Sequence, residues 1–151
     1  MLKIATDRTS YAAGDEIVAT ITLSLKKPVK ARGLFAVLEC YESHKVEVTK
    51  QLDQYDYDRE KELGIPRSTN LKTSTQVHDD IIFRKEVKIA GEKVYGTENF
   101  EVKFQLPKDA KPTSKEYGHD NFIHVWKLKV KLDIPLTIDK NAEKEIFVDG
   151  L

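Results

Sequence analysis

Apolar and polar residues alternate along most of this chain. In residues 17–25, Ile, Ala, Ile, Leu and Leu occupy every second position, and mostly Thr and Ser stand between them. Successive side chains of a β-strand point to opposite faces, so each such segment has one face for a core and one for water. The same alternation predicts strands at 34–40, 81–89, 100–106 and 126–132, and weaker ones at 2–6, 45–50 and 144–149.

These strands predict an all-β protein. No segment shows a convincing helical period, and Gly or Pro separates the strand candidates, as at Gly14, Pro28 and Gly96. We expect an antiparallel β-sandwich of about seven to eight strands. A length of 151 residues suits a single domain spanning 1–151. Residues 51–80 form a long polar connection, which we expect to be functional, mobile or structured on its own.

The charge count narrows the choice of partners. The chain carries 25 Lys and Arg against 25 Asp and Glu, so its formal net charge is zero. Nucleic-acid-binding domains are normally basic, so no nucleic-acid partner is expected. The lone cysteine, Cys40, fits a reducing compartment, and no apolar run is long enough for a signal peptide or an integral membrane segment. We therefore expect a cytoplasmic protein.

The motifs for catalysis and metal binding are incomplete. Gly91–Gly96 has the glycine spacing of a phosphate-binding loop, but Thr97 stands where that loop needs Lys, which favours a hairpin connection. The acidic run at 56–62 lacks the glycine and the final acid of a calcium loop. No serine-nucleophile motif is present, and Cys40 lies on an apolar face as an inert core thiol. We therefore predict no enzyme, no cofactor and no metal site.

The histidines do not change this conclusion. They are His44, His78, His119 and His124, and they form no zinc motif. The sequences His78-Asp79-Asp80 and His119-Asp120 have the composition of turns. His124 shares the parity of Trp126, so we expect it to meet a hydrogen-bond partner at the edge of the core.

Four segments together resemble arrestin-like domains. Residues 11–17 (Tyr-Ala-Ala-Gly-Asp-Glu-Ile) resemble the Tyr-x-Pro-Gly-Asp turn that opens such domains, and 29–34 resemble the start of the next strand. Residues 99–107 are similar to the Pro-Phe-x-Phe-x-Leu-Pro stretch, and 122–135 to the late strand near the domain end. The superfamily includes arrestin N-terminal-type domains, the Vps26 retromer subunit and bacterial sporulation-control proteins. The resemblance implies an immunoglobulin-like β-sandwich of arrestin type that binds proteins.

The chain also departs from the family. Ala13 stands where the family often has Pro, and 151 residues hold one sandwich where full arrestins have two. The buried charged core between two arrestin domains therefore cannot form within this chain, so arrestin-style activation is not carried over.

Two basic clusters and a tyrosine pair are the candidate partner-binding residues. The first cluster shares one strand face and consists of Lys127, Lys129 and Lys131; the second surrounds a turn and consists of Lys26, Lys27, Lys30 and Arg32. Lysines on strands also serve solubility and edge protection, so both interpretations stand. Tyr55 and Tyr57 lie amid acids in the long connection, where they predict either an interface or packing on their own domain.

We therefore predict a non-catalytic adaptor module for protein partners, with a trafficking, signalling or stress-regulatory role. A partner segment would dock on a sheet edge or a basic concave face. Because a lone sandwich leaves sheet edges uncovered, we also predict a homo-oligomer sealed through sheet surfaces. The alternative is a β-sandwich that binds a sugar or a divalent cation through the 51–80 connection.

Overall fold

The computed structural model describes residues 1–51, 71–117 and 121–150. Within these ranges the regular elements are strands, in the order β1 (Leu2–Thr6), β2 (Glu16–Leu23), β3 (Val29–Ala31), β4 (Gly33–Gln51), β5 (Leu71–Ala90), β6 (Lys93–Tyr95), β7 (Glu98–Gln105), β8 (Phe122–Asp133) and β9 (Lys140–Ile146). All paired strands are antiparallel. The described residues contain no helix that could cross a membrane.

The strands form the two layers of a β-sandwich. β1, β2 and β7 make a three-stranded sheet, and the short β3 and β6, which lie between β2 and β7 in the chain, pair with each other as a separate two-stranded sheet. The second layer is a four-stranded sheet in the order β5-β4-β8-β9. The predicted all-β antiparallel sandwich is therefore confirmed.

The core lies between the layers and follows the predicted alternation. Alternate residues of β4 and β8 line the inner face of the four-stranded sheet, all at most 1% exposed: Leu34, Ala36, Leu38, Cys40, Trp126, Leu128, Val130 and Leu132. The Trp126 indole Nε1 donates a hydrogen bond to the Lys111 carbonyl oxygen over 2.8 Å. The largest core side chain therefore keeps its polar group paired while its rings are buried.

The turn that precedes β2 adopts the conformation that Gly14 and Asp15 favour. Gly14 has a φ of 85°, in the left-handed region that glycine adopts without cost. The Asp15 carboxylate accepts a hydrogen bond from the Ala12 amide over 2.8 Å and pairs with Arg8 at 3.1 Å. The Gly14 amide donates to the Pro107 carbonyl over 3.0 Å, which joins this turn to the end of β7.

The two edges of the four-stranded sheet differ. At the β9 edge, the Tyr11 amide donates to the Phe147 carbonyl over 2.9 Å, and the Asp149 amide donates back to the Tyr11 carbonyl over 2.7 Å. The β5 edge pairs with no other described strand. A register shift leaves Ile82 as a bulge on β5, a feature that hinders edge-to-edge pairing between molecules. The predicted self-association stays a prediction.

Three sequence predictions need correction. The described residues form nine strands rather than seven to eight, because the short β3 and β6 give no alternation to detect. Residues 71–80 of the predicted 51–80 connection, including the predicted turn at His78, are part of β5. They extend beyond the other strands and pair only with β4, so residues 74–80 are exposed on both faces and show no apolar period. The Gly91–Gly96 segment contains β6, which pairs with β3, and is more than a hairpin turn.

Candidate functional site

The first lysine cluster lies on the outer face of the four-stranded sheet. Its members alternate with buried residues of β8 and are Lys127, Lys129 and Lys131. In the ladder with β4 they align with Glu39, Val37 and Phe35, in that order. The outer face is therefore a set of rows that run across the strands, and these rows differ in charge.

The row at Phe35 contains cations and no acid. Phe35 aligns with Lys88 on β5 and with Lys131 on β8, and Lys131 aligns with Asn141 on β9. Neither Lys88 nor Lys131 forms an ion pair with another described residue. We call this set, Lys88, Phe35, Lys131 and Asn141, the Phe35 row.

The other two lysines of the first cluster are paired with acids. The Lys127 ammonium lies 3.0 Å from a Glu143 carboxylate oxygen. The Lys129 ammonium lies 3.5 Å from Glu39, which is only 6% exposed, and it donates a hydrogen bond to the Tyr41 hydroxyl. That hydrogen bond, aided by the Glu39 charge, raises the pKa of Lys129 above its ordinary value. The sequence placed three lysines on one face, but it did not show that acids of β4 and β9 meet two of them.

A shallow groove of about 520 Å³ crosses this face over all four strands. Phe35 and Val37 lie in it, with Lys131 among its lining residues. The Phe35 ring packs over Gly33, where an added Cβ would lie 2.9 Å from ring atoms. Sequence reasoning missed Phe35 and Val37, although there was a signal: residues 34–38 are apolar on both parities, so their outward face is not purely polar.

The second basic cluster lies at one end of the sandwich. Lys26 and Lys27 are exposed in the connection between β2 and β3, and Lys30 on β3 pairs with Glu92 at 3.6 Å. The Arg32 side chain is exposed, and its amide donates to the Asp133 carbonyl over 2.8 Å. This bond places Arg32 where β8 ends, beside the Phe35 row.

The remaining candidates fall outside the described residues. Tyr55 and Tyr57 are among them, as is His119. The alternative of a sugar or cation bound through the 51–80 connection depends mainly on residues 52–70, which are also outside. These interpretations stay predictions.

The polar residues inside the core have structural partners. His124 is 9% exposed, and its Nε2 lies 2.9 Å from a Glu42 carboxylate oxygen, which confirms the predicted partner at the core edge. Burial raises the pKa of the Cys40 thiol to about 12, so the reactive thiolate is strongly disfavoured. Over the described ranges, no three His, Cys, Asp or Glu side chains group closely enough to hold a metal ion.

Two comparisons with known proteins find similarity, and both point to one fold. The model of the family described as Arrestin (or S-antigen), C-terminal domain, matches residues 1–148. The crystal structure of Spo0M, the sporulation control protein of Bacillus subtilis, superposes with a TM-score of 0.62 at 15% sequence identity, covering 99% of this chain and 49% of that one. The chain thus spans about half the length of Spo0M, and at this identity the likeness shows the fold alone. No curated protein matches in sequence. The resemblance to arrestin-like domains is confirmed.

Proposed function

Because the chain belongs to the arrestin C-terminal domain family, we propose that it is a non-catalytic protein-interaction module that docks a partner segment in the groove over the Phe35 row. The family is one of interaction and regulatory modules in general, and the choice of surface is our inference. The observation that carries it is the Phe35 row itself, where an aromatic side chain on an outward face is flanked by Lys88 and Lys131 without acids.

The chemistry of the row defines the partner. Phe35 and Val37 are already half-buried. A partner's apolar side chain can therefore cover them with little further loss of side-chain conformational entropy. Lys88 and Lys131 form no ion pair with another described residue, and a partner carboxylate beside that apolar residue would supply an acid for them. The partner is therefore a protein segment with an aliphatic or aromatic residue next to one or more acids.

The neighbouring rows provide selectivity. In the next row across the sheet, Glu86 aligns with Val37 and Glu143 aligns with Lys129, and both acids line the groove. Like charges placed next to each other disfavour a wrong partner or a wrong register. A segment with acids along its whole length would therefore bind less well than one whose acids cluster at one end.

The test begins with selection of peptides from a random display library on the immobilised full chain. Enriched peptides are then titrated by fluorescence polarisation against wild type and a Lys88→Glu/Lys131→Glu variant. We expect acids next to an apolar residue in the enriched peptides, and a rise in Kd of about tenfold or more in the variant, equivalent to about 1.4 kcal/mol. Phe35→Ala should weaken the same peptides.

The matched control is Lys3→Glu/Lys103→Glu, which reverses the charge of two exposed lysines on the β1-β2-β7 sheet. This variant has the same net charge as the test variant, so it separates local contact from overall charge. An equal loss of binding in both variants, or enriched peptides without acids, would contradict the proposed docking surface.

A further inference from the structure

The hairpin of β4 and β5 extends beyond the other strands and forms an arm at one end of the sandwich. β8 accompanies β4 as far as the pair of His44 with Phe122, and past that point β5 is the only described strand that pairs with β4. Alternate side chains continue the inward face of the sheet onto this arm. We call this continuation the arm face, and it consists of Glu42, His44, His78, Asp80 and Phe122.

Two parallel rings lie on the arm face. The rings of His44 and Phe122 stack with their centroids 4.2 Å apart and their planes 8° apart. Phe122 is on the β8 side of His44, so the opposite face of the His44 ring is turned toward β5. The residue aligned on that side is His78, which is exposed and makes no ring contact or hydrogen bond with His44. The His44 ring therefore offers one flat face to a ligand.

Two carboxylates lie in the next row of the arm face. Glu42 and Asp80 align with each other, one row nearer the core than the histidines. One oxygen of Glu42 lies 2.9 Å from Nε2 of His124. The exposed carboxylate of Asp80 forms no hydrogen bond or ion pair with another described residue. The row therefore has acceptors that a cationic partner can use.

The charge of the arm also favours a cationic partner. Residues 42–47 and 74–80 contain four acids and one lysine, Lys45. Lys45 follows His44 in the strand and so points to the other face, where its ammonium lies 4.1 Å from the centroid of the Tyr117 ring. The arm face is therefore negative, with no lysine or arginine of its own.

We propose that the arm face binds an arginine side chain of a basic partner segment. The guanidinium plane lies against the open face of His44, and its N–H groups donate to the carboxylate of Asp80, with Glu42 as a further acceptor. This surface is separate from the groove over the Phe35 row and takes a partner of opposite charge. The proposal does not depend on the proposed docking of an acidic segment there.

Arginine fits the arm face better than lysine does. His44 and Asp80 are diagonal neighbours on adjacent strands, about 7–8 Å apart, which is within reach of a long side chain that lies between them. The guanidinium is planar, so it can stack on a ring and present two parallel N–H donors to one carboxylate at the same time. A lysine ammonium is a compact, strongly hydrated charge and gains less from the ring.

Fluorescence polarisation of the full chain with labelled peptides tests the proposal. The probe is a peptide of repeated Gly-Arg-Gly-Ser units, and the comparison peptide has Lys in place of every Arg. We expect the arginine peptide to bind about fivefold more tightly or better. Asp80→Asn should raise the Kd of the arginine peptide by about tenfold or more, because a charge-assisted pair of hydrogen bonds is lost.

The matched control is Asp79→Asn. Asp79 is the adjacent acid, points to the other face and accepts a hydrogen bond from the Ser43 hydroxyl. Its replacement makes the same change in net charge and should leave the Kd of the arginine peptide unchanged. Equal losses in the two Asn variants, equal affinity for the two peptides, or no binding of the arginine peptide would overturn the proposal.

Two variants at His44 test the stacking. His44→Phe keeps a flat ring and should bind the arginine peptide as the wild type does, whereas His44→Ala should weaken binding by about threefold or more. Equal affinities of these two variants would overturn the stacked geometry. Because His44→Ala also loses the contact with Phe122, chemical-shift mapping on the wild type gives a second readout that needs no substitution.

In that mapping, the arginine peptide should cause its largest shift changes at His44, His78 and Asp80. Changes centred on Phe35 instead would place the peptide in the groove and overturn the proposal. The Lys88→Glu/Lys131→Glu variant should bind the arginine peptide at least as well as the wild type, because its substitutions lie outside the arm face. The two surfaces can therefore fail or succeed independently.

Discussion

The inner and outer faces of the four-stranded sheet are built from the same strands in different ways. On β8, Trp126 and Leu128 are buried inside, whereas Lys127 and Lys129 point outward. Inside, each position is defined by the volume it fills. Outside, the role of each lysine depends on whether an acid of a neighbouring strand pairs with it, and the acid that pairs with Lys129 comes from β4, a distant part of the chain. Inner positions therefore govern stability, and we expect partners to bind at unpaired outer positions.

The largest expected effect is on the inner face. Trp126→Ala leaves a cavity and removes the donor to the Lys111 carbonyl, so we expect a loss of about 3–5 kcal/mol in the free energy of unfolding. Denaturant titration measures it. Lys131→Ala, on the same strand but facing outward, should change stability by no more than about 0.5 kcal/mol. Similar losses in both variants would break the distinction between the faces.

The inner face could be predicted from sequence because period-two alternation is a local property. A single strand such as β8 already shows which of its residues are buried, whatever its neighbours are. The turn that precedes β2 could also be predicted from local sequence, since Gly14 tolerates a positive φ and the Asp15 carboxylate accepts a hydrogen bond from a nearby amide. Such features need no knowledge of register.

The outer face could not be predicted in the same way. Whether Lys129 is paired depends on Glu39, 90 positions away in the chain, and on the register that aligns β4 with β8. The groove depends on four strands lying side by side. Strand residues 74–80 were missed because they are exposed, so that pairing with β4 alone holds them in place.

An intermediate effect distinguishes lysines within the outer face. Lys129→Ala leaves Glu39 without its cation, and the Glu39 side chain is only 8% exposed. We expect a loss of about 2 kcal/mol, since an uncompensated buried charge is costly; partial exposure of Lys129 keeps the loss below that of a fully buried pair.

The matched variant is Lys127→Ala, which leaves Glu143 unpaired in solvent at 49% side-chain exposure. Its loss should be about 0.5 kcal/mol or less. Both values come from denaturant titration at neutral pH. Equal losses would show that burial of the acid does not determine the strength of these pairs.

The smallest effect concerns a core residue whose polar end reaches the surface. Tyr11 is 2% exposed, and its hydroxyl donates to the Asp7 carboxylate, the main reason that the pKa of Asp7 lies below its ordinary value. A lowered pKa stabilises the fold above the pKa of the unfolded state, and this contribution disappears as pH falls through the folded value. Tyr11→Phe removes the donor and should reduce the loss of stability on acidification.

Tyr95→Phe is the control for this effect. The Tyr95 side chain is also buried, but its hydroxyl donates to the Gly91 backbone carbonyl, a group that does not titrate. Its loss of stability should therefore be the same at neutral pH and below the ordinary Asp pKa. Denaturant titrations at a series of pH values give, for each variant, the slope of the unfolding free energy against pH. If Tyr11→Phe loses stability on acidification as steeply as the wild type does, the Tyr11 hydroxyl does not couple the stability of the core to the charge on Asp7.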